Sequence, residues 1–559
     1  MTHDSRLSAY HFHERDWRGY DHLQSEFEWE VPERFNTARY VCDRWAGTAR
    51  TAVYAEEAGG EGETYTYGDL RDRSNRLANV LADADVKRGD RIAVTASQRP
   101  ETLVGHLAAW KIGAVSVPIS PLVGTDALRY RLNDCRATVA ILDGSNIETL
   151  GAVADDVDSL ELVVGIGDSV SGVDAASTRF DDALAEASAE RSTVATEAED
   201  GAMIIYTSGT TGKPKGVVHA HRYLLGQLPS FVTLFCNMEL HEDDRFWTPS
   251  DWGWVGPFYG LVLPTLFYGK SLVSHHAARF DPERAFELLD TYRVNGTSLP
   301  PTAVRKMEGV DDIGRFDLGG VRAVVCGGEA VTERLVDWVE RTFDAPVHEG
   351  YGQTEATSVI GSVAALGVKR AGKMGKAQIG HEVRVVDPTT AEPNVPPGEV
   401  GEIAVSYEGD PGCFVRYWEL PEATDAKVKN GWLLTEDLGR RDKDGYFEFV
   451  GRKDDVIISS GYRIGPEEIE DVLSAHEAVA DAGVVAVPDP GRGEVPKAFV
   501  TLSPDVAAPD DLVAELKGHV KEHLAAYKAP RDIAVADELP RTPTGKIDRA
   551  ALGPSGENP

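Results

Sequence analysis

Cysteine is scarce in this chain: the five, at Cys42, Cys135, Cys236, Cys326 and Cys413, are spread over 559 residues with no CxxC pair. That spacing excludes a disulfide framework and a cysteine zinc site, and leaves reduced core residues as the reading. Long apolar runs are missing as well. The best membrane candidate, Gly253 to Gly269, is 17 residues long and interrupted by Pro257 and Pro264, and the polar start from Met1 to Trp17 has no signal-peptide core. The expectation is a soluble, cytoplasmic protein without stable membrane association. Basic residues are few: 57 Lys and Arg stand against 91 Asp and Glu, a formal net charge of -34, and no lysine occurs between Lys111 and Lys213. Such a surface repels phosphate backbones, which excludes nucleic acid as a partner.

What is present is the composition of an ordered globular protein, 42% hydrophobic and 26% charged, in a chain too long for a single core. From Asp90 to about Ile141, β-rich runs (Arg91-Thr95, Ala114-Pro118, Ala137-Leu142) alternate with helical patterns (Glu101-Lys111, Asp126-Asp134). This is the order of βαβ units and of a parallel, helix-covered sheet. The rhythm resumes at Gly201-Tyr206, Asn295-Leu299 and Val321-Cys326, which predicts a second α/β lobe. Glu382-Val386 and Glu402-Ser406 predict a small β subdomain between Gly380 and Tyr407. After Gly451 the strands Ala482-Val487 and Lys497-Leu502 and the helices Glu467-Ser474 and Asp510-Ala526 predict a small, mobile α+β domain. The fold class is therefore α/β, with a large domain over 1–453 and a small one over 454–559.

The chemistry concentrates in a few strings. Tyr206-Thr-Ser-Gly-Thr-Thr-Gly-Lys-Pro-Lys-Gly216 is a glycine loop directly after an apolar strand. Its backbone N–H groups and the hydroxyls of Thr207, Ser208, Thr210 and Thr211 can surround phosphate oxygens; Gly209 and Gly212 belong to the same loop, and Lys213 and Lys215 add positive charge. The standard P-loop pattern fails, because Pro214 stands where its second Gly is required and Gly216 where Ser or Thr is required. Taken alone, such a loop is as often a flexible turn as a nucleotide contact.

The whole eleven-residue string, however, resembles the phosphate loop of the adenylate-forming superfamily, which includes acyl-CoA synthetases, luciferases and peptide-synthetase adenylation domains, and further segments agree in order and spacing. Gly350-Tyr-Gly-Gln-Thr-Glu355, preceded by Glu349, looks like the family's adenylate segment. The resemblance implies Tyr351 against adenine, Gly352 and Gln353 at the nucleotide, Thr354 on the α-phosphate and Glu355 holding Mg2+. A carboxylate beside a polyphosphate needs a cation between them. Gly327-Gly328-Glu329-Ala330 resembles the adenine-side turn; otherwise it is a strand-to-helix turn with a solvated Glu329. Asp437, fifteen residues ahead of Arg452, is similar to the ribose clamp, although Glu436 stands where many relatives have Gly. Gly451-Arg-Lys-Asp-Asp-Val456 looks like the interdomain hinge, with Asp454 as pivot. In Ser460-Gly-Tyr-Arg-Ile-Gly465, Gly461 and Tyr462 would face the pantetheine arm and Arg463 a CoA phosphate. Pro540 to Arg549 closes the set, and Lys546 corresponds to the family's mobile catalytic lysine.

The resemblance implies an acyl-CoA synthetase whose substrates are ATP, a small carboxylic acid and coenzyme A. The acid attacks the α-phosphate and expels pyrophosphate; the small domain then turns, Lys546 leaves, and the CoA thiol displaces AMP. Asp251-Trp-Gly-Trp-Val-Gly-Pro257 looks most like the acetyl-CoA and medium-chain acyl-CoA synthetases. By the same resemblance Val255, Gly256, Gly327 and Gly352 wall the acyl pocket, with glycine at 352 where acetate enzymes carry Trp. A short- to medium-chain acid is the expectation, each buried methylene contributing about 0.8 kcal/mol, unless the glycine serves only a close backbone approach. An acetate-CoA ligase, an amino-acid or aryl-acid adenylating enzyme and a non-catalytic nucleotide-binding regulator are the alternatives. His219, His221, His275 and His276 lack metal-ligand spacing with a third ligand and read as structural or surface. The dispersed acidic surface resembles that of proteins from salt-loving organisms, where salt screens the repulsion. The assembly is left open between monomer and homo-oligomer.

Overall fold

The structure, a computed structural model, describes residues 6–57, 62–167, 175–207, 213–277, 279–329, 331–459, 462–503, 511–524, 528–541 and 547–553. The alternation that begins at Asp90 becomes a sheet with the spatial order Arg416–Tyr417, Gly216–Ala220, Gly201–Tyr206, Val115–Pro118, Arg91–Thr95, Ala137–Asp143, Leu162–Ile166, Ala176–Arg179. From Gly201–Tyr206 onward the neighbours are parallel. The helices Pro100–Lys111 and Thr125–Cys135 make two of the crossovers. Burial of these strands on both faces accounts for their unbroken apolar character. The two strands that flank the hydroxyl-rich loop, Gly201–Tyr206 and Gly216–Ala220, are antiparallel, so the loop is the tip of a hairpin.

A second sheet runs Lys376–Ala377, Ala356–Gly361, Val347–Gln353, Ala323–Gly327, Gly296–Ser298, Arg245–Trp247, Ser271–His276, Thr51–Glu57, Gly62–Thr66. Ala323–Gly327 and Val347–Gln353 are parallel and joined by the helix Glu333–Phe343, whose start is capped by Thr332 Oγ1 on Leu335 N–H at 3.4 Å. A third, antiparallel sheet contains Val383–Val386, Val400–Ser406, Trp432–Arg441 and Phe447–Arg452. Beyond it, Val479–Asp489 and Gly493–Leu502 form a long hairpin covered by the helices Pro466–Ser474 and Leu512–His523.

The apolar run from Gly253 breaks into short helical pieces, Val255–Pro257, Phe258–Val262 and Leu263–Phe267, buried in the main core. Among the described residues no helix is long and apolar enough to cross a membrane. All five cysteines are free and buried.

Candidate active site

The parallel pairing of Ala323–Gly327 with Val347–Gln353 sets Gly327 opposite Gly350. Two motifs far apart in sequence thereby meet at the C-terminal ends of adjacent parallel strands, where open α/β sheets bind ligands. The chain then reverses at Thr354 and Glu355 into Ala356–Gly361. Behind this turn, His219 Nε2 lies 2.7 Å and the Tyr223 hydroxyl 3.3 Å from the Thr354 carbonyl oxygen, to which both donate. Burial holds the His219 imidazole down at about 4, so it is a neutral donor. It is structural, as its sequence context suggested.

Glu355 is 6% exposed and accepts a 2.5 Å bond from the Tyr417 hydroxyl. Tyr417 lies on the short strand that pairs with Gly216–Ala220, and Lys215 Nζ sits 5.0 Å above its ring. The glycine loop and the adenylate segment therefore meet at one tyrosine. The loop's base is closed by Thr207 N–H donating to the Lys215 carbonyl at 3.0 Å. Lys213 lies over the Tyr130 ring at 5.5 Å. Ser208, Gly209, Thr210, Thr211, Gly212, Ala330, Gly461 and Lys546 lie outside the described residues, as do the side chains of Tyr462 and Arg463.

The fifteen-residue interval between Asp437 and Arg452 is a hairpin register: the two stand directly opposite each other on paired strands. Tyr351 donates to Asp437 at 2.6 Å, and Gln353 Nε2 donates to the Thr435 carbonyl at 2.9 Å, which fastens the adenylate segment to this hairpin. Arg452 Nε is 3.7 Å from Asp437 and 3.3 Å from Asp454. Glu436 adopts φ 64°, the left-handed region that favours glycine.

Glu329 is not merely solvated. Thr302 Oγ1 lies 2.6 Å and Arg305 Nη2 3.1 Å from its carboxylate, both from the first turns of the helix Pro301–Met307. Glu349 is pushed up to about 7, first by burial and then by Asp471 on the helix Pro466–Ser474 of the small domain. Among the four pocket positions, a Cβ at Gly352 would lie 2.4 Å from Ser358 N, and one at Gly327 2.3 Å from the Gly350 carbonyl oxygen. The backbone approach alone demands glycine at both, so Gly352 is not spare pocket space. Gly256 is exposed, with nothing within 4 Å of a Cβ, beside buried Val255.

Tyr417, Thr302, Arg305 and Tyr223 are absent from any motif string. Tyr417 holds Glu355 across 62 residues, a pairing with no sequence signal.

A large α/β domain in which the ends of the glycine loop, the adenylate turn and the Asp–Arg hairpin cluster, followed by a small α+β domain, defines an adenylate-forming enzyme. The model of the AMP-binding enzyme family matches residues 42–418, and that of the AMP-binding enzyme C-terminal domain matches residues 468–546. The chain belongs to the AMP-binding enzyme family. It is 34% identical to the uncharacterized acyl-CoA ligase YtcI of Bacillus subtilis (strain 168), covering 93% of this chain and 96% of that one. It is 31% identical to the mitochondrial acyl-coenzyme A synthetase ACSM3 of Mus musculus (96% and 93%), and 34% identical to the acetyl-coenzyme A synthetase of Bacillus subtilis (96% and 94%). Among solved structures, an anthranilate CoA ligase in complex with anthranoyl-AMP matches with TM-score 0.85 at 27% identity, over 94% of this chain and 98% of that one. The chain is thus an AMP-forming acid–thiol ligase of the acyl-CoA synthetase family, for which ATP and CoA are the fitting substrates.

Proposed function

We propose that this enzyme activates a short- to medium-chain fatty acid as acyl-AMP and passes the acyl group to CoA. The observation that carries the site assignment is the double fastening of the adenylate segment, Tyr351 to Asp437 and Glu355 to Tyr417. It supports reading Asp437 as the acceptor for a ribose and Glu355 as the holder of a cation beside the phosphates. Glu355 fits Mg2+: it is a buried hard-oxygen donor with one oxygen fixed by Tyr417. When bound, Mg2+ neutralises phosphate charge.

In this reading Thr354 and the glycine loop hold the phosphates, and Asp437 accepts the ribose hydroxyls beside Arg452. The acid's carboxylate attacks the α-phosphorus, pyrophosphate leaves, and Lys546 stabilises the negative charge that develops. The small domain then turns about Asp454, and Gly461, Tyr462 and Arg463 receive CoA, whose thiol displaces AMP. Lys546→Ala should block adenylation while sparing CoA transfer from supplied acyl-AMP; equal damage to both half-reactions would refute the two-state scheme.

The chain-length reading rests on Gly256, where open space lies beside buried Val255. Acetate, butyrate, octanoate and benzoate are assayed by CoA-dependent AMP release. The kcat/KM ratio of octanoate or butyrate over acetate should exceed one and fall in Gly256→Leu. A wild type that prefers acetate or benzoate overturns the chain-length reading.

A further inference from the structure

We propose that His11, His13 and Glu14 form a binding site for a borderline divalent transition-metal ion, of the zinc type, outside the adenylating centre. All three lie on the 3-10 helix Ser8–Glu14. The helical path is interrupted at His11 (φ -102°, ψ 30°), and His11 Nδ1 lies 3.6 Å from Glu14 Oε1. One ligand atom from each of the three residues lies within 4.8 Å of the other two. Ligands on a tetrahedral ion with bonds of about 2.1 Å stand roughly 3.4 Å apart, so small side-chain rotations close the set. A water would complete four-coordination.

The two imidazoles are positioned and available. Both rings stand edge-on to Tyr268, at centroid distances of 5.4 and 5.9 Å. His13 Nδ1 is buried and has no hydrogen-bond partner. The cluster already holds a cation: the Arg6 guanidinium pairs with Glu14. A metal ion would take that carboxylate, and Arg6, more than half exposed, would turn to solvent. Arg44 and Lys270 add nearby positive charge, which weakens purely electrostatic binding and leaves coordination as the driving interaction. Two imidazoles with one carboxylate favour Zn2+, Ni2+ or Cu2+ over Mg2+, so an Mg2+ ion serving the ATP chemistry would not compete. The consequence is a local clip within the amino-terminal segment, fixing the two imidazoles that pack against Tyr268.

The test is titration of metal-stripped, full-length enzyme with Zn2+ by calorimetry and with Co2+ by visible absorption, beside the double variant His11→Ala/His13→Ala. Wild type should take up one equivalent more than the variant, gain melting temperature with Zn2+ that the variant does not, and retain the site in millimolar Mg2+. Arg6→Gln should bind Zn2+ about threefold tighter, the effect of removing one exposed ion-pair competitor. His13→Gln, a milder change, should lose the same equivalent with its circular dichroism and acyl-CoA synthesis intact. Equal uptake by wild type and the double variant, or displacement of Zn2+ by Mg2+, overturns the site.

Discussion

At the adenylate face each carboxylate meets a neutral hydroxyl, Tyr351 for Asp437 and Tyr417 for Glu355. At the root of the small domain, Asp455, Glu467 and Glu470 crowd around the one guanidinium of Arg549, at 3.4, 3.5 and 2.8 Å. Burial pushes Glu467 up to about 8 and Glu470 up to about 7, because one arginine compensates only part of three charges. The first arrangement holds its acceptors in place, ready for ligand. The second makes a joint whose stability depends on protons. Substitutions at the first face should alter rate and leave stability; substitutions at the second should do the reverse.

The largest expected effect is on rate. Glu355→Gln keeps the size and the Tyr417 contact but removes the charge proposed to hold Mg2+, so carboxylate-dependent pyrophosphate exchange should fall on the order of a hundredfold or more, with the thermal midpoint nearly unchanged. A fall in the midpoint with exchange preserved would place Glu355 among the merely structural carboxylates. Next comes Arg549→Gln. Removing the shared cation leaves buried carboxylates uncompensated and should cost the small domain about 3 kcal/mol, measured by denaturant unfolding. Pyrophosphate exchange per folded molecule should change less than it does in Glu355→Gln.

The third effect is a slope. Folded Glu467 and Glu470 keep protons at pH values where the unfolded chain, with Glu near 4.3, has released them. The folded state therefore binds more protons, and this contribution to stability falls as pH rises toward 8. Between about pH 6.5 and 8, above the ordinary histidine range, unfolding free energy should decline by at most about 1.4 kcal/mol per pH unit for each carboxyl. Glu467→Gln should flatten that decline. An unchanged slope would assign it to other groups.

The parallel sheets and the small domain were legible in sequence because strand burial on both faces writes itself as apolar runs, and helix starts such as Thr332 carry their own capping signal. The motif strings likewise pointed to the candidate site, since the Asp437–Arg452 interval reflects a local hairpin register. What holds those strings was not legible. Tyr351 reaches Asp437 across 86 residues, and Thr302 and Arg305 find Glu329 only because two strands end side by side. Gly352 was ambiguous for a different reason: glycine is the same letter whether a pocket needs room or a hairpin needs approach, and only the neighbouring Ser358 N–H decides. The His11, His13 and Glu14 cluster was hidden because its close spacing, across a kink at His11, differs from the i, i+4 spacing of an α-helical metal site.

The smallest effect lies at the border of the two faces, at Glu436. Its backbone sits at φ 64°, where a side chain costs about 1 kcal/mol that glycine does not incur. The turn itself is held from outside: Glu436 N–H donates to Glu402 at 2.9 Å, and its carbonyl accepts from Lys453 N–H at 2.7 Å. Glu436→Gly should therefore leave Asp437 in place and the KM for ATP unchanged. Against the backbone relief stand the ion pairs of the half-exposed Glu436 carboxylate with buried Lys427 at 3.3 Å and with Arg452 at 3.7 Å, worth up to about 1 kcal/mol at low ionic strength. The two terms nearly cancel in dilute buffer. In molar KCl the screening length shrinks to about 3 Å, so the ion-pair term fades while the torsional relief persists. The variant should then exceed wild type by about 0.5 to 1 kcal/mol, read from paired melting curves across a salt series. A stability difference independent of salt would show that neither Lys427 nor Arg452 contributes through Glu436, and a raised KM for ATP would show that the side chain, not the outside hydrogen bonds, positions Asp437.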